Sequence, residues 1–161
     1  MAVDIFIKID GIEGESHDDK HKNEIDVQSF SFGLSQTGSY SAGGGGGVGK
    51  ASFQDVHFTK HSDKSSPKLF LASASGEHIK KAEVTFRKAG KEQQEYFKIT
   101  LSDVLVSSYQ VSDSQGGTTL PSESVSLNFA KIEFDYKEQK ADGTLGGSVK
   151  TGWDVKANKK V

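Results

Sequence analysis

The run Gly43-Gly44-Gly45-Gly46-Gly47-Val48-Gly49-Lys50 has the residue types to cradle a phosphate, since Gly44, Gly49 and Lys50 fit G-x-x-x-x-G-K. The chemistry fails at the next position. Ala51 stands where a hydroxyl would hold magnesium. The following Ala51-Ser52-Phe53-Gln54-Asp55-Val56-His57-Phe58 is β-prone, not the helix whose amide end would bind the anion. The glycines read instead as a loop between strands. Ordering such a backbone costs about 1–2 kcal/mol per residue or more, so a contact from outside the monomer core is expected to hold it in the working state.

Two histidine groups could do other chemistry. His17-Asp18-Asp19-Lys20-His21, with Glu24 nearby, has donors for a divalent cation. It lies in the polar stretch Glu13 to Asn23 and reads as a charged surface turn. His57 and His61 accompany Asp55 and Asp63, and on a strand Asp55 and His57 share a face. Ser62 is no sign of a triad in a chain this rich in serine, and neither G-x-S-x-G nor H-E-x-x-H occurs. With no cysteine, thiolate metal sites and thiol nucleophiles are absent too. The expectation is no catalytic residue, no metal and no cofactor: not an enzyme. A hydrolase would need a pocket joining His57 or His61 to a nucleophile.

The bulk properties narrow the partners. Lys and Arg total 20 against 22 Asp and Glu, a net charge of -2, so no positive field collects nucleic acid. No apolar stretch approaches the length of a membrane span. Met1 to Asp10 lacks a basic head and carries acids within its apolar run, unlike a cleavable secretory signal. Export would therefore need dedicated machinery. The 161 residues predict one domain with a core large enough to need no staples.

The elements that would position these residues are mostly strands. Val3, Ile5, Ile7 and Ile9 share one face, with Asp4 and Lys8 opposite. The apolar phase changes from Ile25 and Val27 to Phe30 and Phe32, and again from Val125, Leu127 and Phe129 to Ile132, Phe134 and Tyr136. Each change predicts a bulge or bend. Ser66 as cap, Pro67 at the first position and Gly76 at the end predict one short helix. Trp153 is expected to pin a terminal arm, either on its own core or on a neighbouring subunit. The pattern predicts an all-β fold, a small β-barrel formed by two sheets with one short flanking α-helix and extended loops. The domain would span 1–161, with an extended loop at about 36–50 and a C-terminal arm at about 141–161. With no chemical site, assembly of copies is the leading function; a monomeric, non-catalytic ligand-binding β-barrel module is the alternative.

Particular residues carry a resemblance along nearly the whole chain. Met1-Ala2-Val3-Asp4-Ile5-Phe6-Ile7-Lys8-Ile9, Glu24-Ile25-Asp26-Val27 and Phe30-Ser31-Phe32-Gly33 resemble the haemolysin-coregulated protein family of bacterial type VI secretion systems. So do Asp63-Lys64-Ser65-Ser66-Pro67, Val104-Leu105-Val106-Ser107-Ser108, Ser124-Val125-Ser126-Leu127-Asn128-Phe129-Ala130 and Gln139-Lys140-Ala141-Asp142-Gly143. The resemblance implies homo-hexameric rings stacked into an inner tube, inside a contractile sheath and below a spike protein. It implies a cytoplasmic subunit later secreted through that system, with small effector proteins carried in the lumen. Ser31 would face the lumen and touch effectors; Gly43, Gly44, Gly45, Gly46, Gly47, Gly49 and Lys50 would form the ring-stacking loop. Phe30 and Phe32 depart from the family's tryptophans, and the Asp113 to Ser122 loop differs in composition. No added toxin domain is expected, so effectors would be separate proteins.

Overall fold

The computed structural model describes residues 3–37, 50–88, 93–117 and 120–161. Eleven strands and one helix follow in order: β1 (Val3–Ile9), β2 (Ile25–Val27), β3 (Ser29–Ser31), β4 (Leu34–Ser35), β5 (Ser52–Phe53), β6 (Val56–His61), α1 (Ser66–Ser75), β7 (Ile79–Lys88), β8 (Glu95–Ser112), β9 (Ser122–Gln139), β10 (Leu145–Asp154) and β11 (Lys159–Lys160). All ladders are antiparallel. The large sheet runs β11-β10-β9-β8-β7-β1-β2, and a small second sheet pairs β4 with β5. β9 forks: its first half carries β6, and then β3, on the edge where its second half carries β10.

This corrects the expected barrel. Neither sheet closes among the described residues. Among these residues β2 ladders only with β1, and β3 only with β6. The two lie end to end, separated by Gln28, whose N–H donates to Thr59 O at 2.8 Å. Two consecutive three-residue strands cannot hydrogen-bond to each other, so the sheet's ends meet along the chain and not through a ladder. The phase change between Val27 and Phe30 is this passage from one neighbour to the next.

The second phase change has another cause. Buried positions switch from Ile99 and Leu101 to Val104 and Val106 on β8, and from Phe129 to Ile132 on β9, at the same level. Pairing holds its register from Phe97↔Tyr136 to Val106↔Leu127, so no residue is inserted there. Asp103 takes φ 53, and both strands turn together at this corner. The register shift lies further on, between Val106 and Ser108.

Ile7, Ile25, Val56, Phe58, Val84, Ile99, Leu101 and Leu127 form the centre of the core, closed on one side by Leu69 and Ala72 of α1. The helix begins one residue earlier than its expected cap: Ser65 is the N-cap and Pro67 stands in the first turn. Asp63 accepts from Ser65 N–H at 2.8 Å, and Asp63 N–H donates to Ser66 Oγ at 3.0 Å, a reciprocal start. Gly76 ends it at φ 66, where a side chain would be strained. Phe30, Phe86, Phe97, Phe134, Phe32, Phe129 and Phe53 form a continuous chain of ring contacts, 5.2 to 6.4 Å between centroids. Trp153 packs against the chain's own core, on β10 opposite Ile132.

Candidate functional site

The period-2 pattern after the corner sorts side chains by chemistry. Val56, Phe58, Val125, Leu127 and Val106 point into the core. Their alternates form a row, Ser31↔His57↔Ser126↔Ser108, across β3, β6, β9 and β8. The next row is Ser29↔Thr59↔Ser124↔Gln110, followed by His61↔Ser122↔Ser112. Ser29, Ser31, Ser108 and Gln110 are exposed, and the others stand half-buried or exposed between them. This face has hydroxyl, amide and imidazole groups. It contrasts with the sheet before the corner, where Lys8↔Glu83 and Lys98↔Asp135↔Lys150 alternate charge.

Neighbours cross-link the hydroxyl face. His57 Nδ1 and Ser126 Oγ are 3.0 Å apart, and Gln28 Nε2 meets His61 Nε2. Asp55 accepts from Ser107 Oγ at 2.6 Å and Asn128 Nδ2 at 2.9 Å, not from His57. The pairing of aspartate and imidazole that acid–base chemistry would need is therefore absent at this pair. His57 and His61 stand two rows apart on β6. Among the described residues no group of three or more His, Cys, Asp and Glu side chains could hold a metal.

A buried ionic node fixes the strands beneath this face. Lys60 and Glu123 are 0 % and 1 % exposed, with Nζ and Oε1 2.7 Å apart. Lys60 also meets Asp63 at 3.0 Å and donates to Ser66 Oγ at 3.3 Å. Glu123 Oε2 accepts from Ser62 Oγ at 2.6 Å and from Tyr109 OH at 2.7 Å. Burial pushes the Glu123 carboxyl up, but hydrogen bonds from Lys60, Ser62, Ser66 and Tyr109 outweigh it and hold it below its ordinary value. Burial first, then the bond to Glu123, pushes the Tyr109 phenol up to about 12. Composition did not reveal this node, yet phase could have. Lys60 shares its face with Val56 and Phe58, and Glu123 with Val125 and Leu127.

The loop around His17 and His21 is the solvated turn expected at His17, Asp19 and Lys20 but not at His21. His17 is exposed, but His21 is buried and stacked on Phe6 at 4.5 Å. Its ring nitrogens meet Glu24 at 2.8 Å and Glu95 at 2.6 Å. Arg87, 2 % exposed, donates to both carboxylate oxygens of Asp18 at 2.8 Å and to Asp4 at 3.0 Å. The Arg87 hydrogen bonds hold the Asp18 carboxyl down at about 2, and Asp18 in turn raises Arg87. These contacts bind the excursion between β1 and β2 onto the outer face of β1 and β7. Phe6, on the face expected to be polar, lies under it.

Of the expected site residues, Ser31 lies exposed on β3 within the hydroxyl face. Lys50 is exposed and lines a solvent-open groove of about 560 Å³ with Phe32, Leu34, Phe53, Phe134 and Trp153. Gly43, Gly44, Gly45, Gly46, Gly47 and Gly49 lie outside the described residues. So Ser31 and Lys50 occupy different surfaces. No described helix is long and apolar enough to cross a membrane.

A corner-folded β-sheet with one charged and one hydroxyl face is the form of a subunit whose surfaces are its function. The family model described as "Type VI secretion system effector, Hcp" matches residues 6–136. The protein Hcp1 of Pseudomonas aeruginosa is 53% identical over 160 residues, covering 98% of each chain. The crystal structure of Hcp1 from Salmonella typhimurium has a TM-score of 0.82 at 39% identity, with 100% of both chains covered. A solved structure of a type six secretion system protein has a TM-score of 0.94 at 32% identity, covering 99% of this chain and 100% of the other. The chain belongs to the Hcp family of type VI secretion system proteins. Its role is that of a secreted, structural, tube-forming component.

Proposed function

We propose that six copies close into a ring, that rings stack into the inner tube, and that the hydroxyl face lines the lumen. The observation that carries this reading is the arrangement of edges around that face. Among the described residues, β3 on one side pairs with β6 alone. On the other, the ladder of β8 with β7 ends at Val104, leaving residues 105–112 with β9 as their one strand neighbour among the described residues. A sheet with two free edges repeats by a head-to-tail contact, and a rotation that closes makes a ring. The charged face then looks outward to the contractile sheath, and the spike protein sits at the end of the tube.

Small effector proteins travel in the lumen against Ser31 and its rows. Hydroxyls both donate and accept, so they hold varied polar surfaces without an apolar anchor. Such contacts are modest, which suits cargo that must leave after delivery. The segment Gly43–Gly49 with Lys50 reaches the adjacent ring, whose contact offsets the entropy of ordering glycine. The subunit is made in the cytoplasm and leaves through the secretion system. Light scattering on the purified chain, followed by negative-stain imaging, tests the reading. A mass of six subunits and annular particles are expected; a lone subunit at high concentration would overturn it.

A further inference from the structure

We infer that the outer stripe of α1 is a contact surface for the neighbouring copy in the ring, an inference that rests on the ring reading above. The helix buries Leu69 and Ala72 against the core. Pro67, Phe70, Leu71 and Ala74 recur at i, i+3, i+4 and i+7, so they share the opposite side. All four are exposed, Phe70 by 60% and Leu71 by 61%. Neighbouring large apolar side chains on a short helix's outer side mark an interaction surface.

The position of the helix identifies the occupant. α1 lies against β8, the strand whose outer half is a free edge. Val111, 53% exposed, stands on the same side of β8 as Tyr109, whose hydroxyl reaches Glu123 beneath the first turn of α1. An exposed backbone edge and an exposed apolar patch therefore adjoin. Natural edges are blunted by charge or proline, yet Leu105-Val106-Ser107-Ser108-Tyr109-Gln110-Val111-Ser112 has neither.

A second free edge, Ser29-Phe30-Ser31 on β3, is equally uncharged and has the same alternation of small polar and apolar residues. Laid in phase along β8 of another copy, β3 would continue the hydroxyl face through Ser29 and Ser31. Phe30 would then fall on the side of Val111 and α1. The occupant is a second copy of this chain, presenting its β3 edge and the apolar residues behind it.

The test is the double variant Phe70→Asp/Leu71→Asp, read by light scattering with far-ultraviolet dichroism as the check on folding. Both side chains are exposed, so the fold should persist. The subunit concentration at half-assembly is expected to rise by at least about ten-fold. Phe70→Ser, milder and uncharged, should shift it in the same direction by less. Val149→Asp, on β10 and 71% exposed, should leave assembly unchanged. Folded variants that form rings at the wild-type concentration would assign the stripe to some other partner and overturn the inference while leaving the ring intact. Equal loss of rings in Val149→Asp would also overturn it, because the effect would then be general to added charge. A wild-type chain that never leaves the single-subunit state would remove the ring reading itself, and this inference with it.

Discussion

The ion pair between Lys60 and Glu123 should behave as one unit with Ser62, Tyr109 and Asp63. Replacing Lys60 by Met fills similar space but leaves the Glu123 carboxylate buried with hydroxyl donors and no cation. Leaving one partner of a buried pair behind costs about 3–5 kcal/mol. Glu123→Leu should cost a similar amount, because Lys60 keeps only half-buried Asp63 and Ser66. Lys60→Met/Glu123→Leu removes both ions and strands mainly the hydroxyls of Ser62 and Tyr109. Its loss should therefore fall short of the summed single losses by about 2 kcal/mol or more. Urea unfolding of the four chains measures this, at concentrations where light scattering shows single subunits, since assembly adds apparent stability by mass action. Additivity within about 0.5 kcal/mol would refute the coupling read from the geometry. So would a Lys60→Met chain as stable as wild type.

The Asp18 carboxyl, lowered from 3.8 to about 2 by the Arg87 hydrogen bonds, contributes stability above pH 3.8 that is lost as pH falls through about 2. Asp18→Asn should be less stable near neutrality and lose less of its thermal midpoint over that window; parallel curves would contradict the pairing. Gly14→Ala should destabilise by about 2 kcal/mol or more in urea, because a Cβ there would lie 2.5 Å from Glu24 O and 2.7 Å from Ile25 Cα. Unchanged stability would show that the turn can move. A large residue at Ser31 should reduce effector recovery in co-purification while rings persist, and equal recovery would remove Ser31 from the cargo surface. Shortening Gly43–Gly47 should leave rings but few tubes in electron micrographs; tubes of unchanged length would count against the stacking role.

Local pattern made much of the fold legible, and failed where two segments had to act together. The alternation of Val3 to Ile9 and the Pro67 to Gly76 helix were readable because each depends on its own residues. The phase change at Ala130 was visible too, but its meaning was not. A bulge and a shared bend leave the same trace in one strand, and the two are told apart only by the partner. Here Asp103 on β8 turns at the same level. Closure was misread for the same reason, since the sequence shows apolar strands but not that β2 and β3 serve different neighbours. The residues beside His21 are charged, a local pattern that implies solvent exposure. Phe6 and Glu95, which receive the His21 ring, lie far from it in sequence and leave no local trace. Ser31 was marked by resemblance, whereas the rows that give it chemistry emerged only from register.

The corner and the buried node together explain how one sheet presents two unlike faces. A strand that kept its phase from Ser122 to Gln139 would carry a single chemistry along its exposed side. Because β8 and β9 turn together, the side chains alternating with Val125 and Leu127 are serines, while those alternating with Ile132 and Phe134 are Glu133 and Asp135. The fork then requires β6 and β3 to remain seated on the first half of β9, where a short edge strand has little area to hold it. Lys60 reaches from β6 to Glu123, and Glu123 to Tyr109, so charge-assisted bonds across three strands add directional constraints that apolar packing lacks. On this argument the node acts on the outer surface by fixing the plane in which Ser31, His57, Ser126 and Ser108 line up. Lys60→Met should therefore disturb ring assembly even in conditions where the chain stays folded, although Lys60 itself is fully buried. Rings that form as readily in the folded variant as in wild type would separate the node from the surface it underlies.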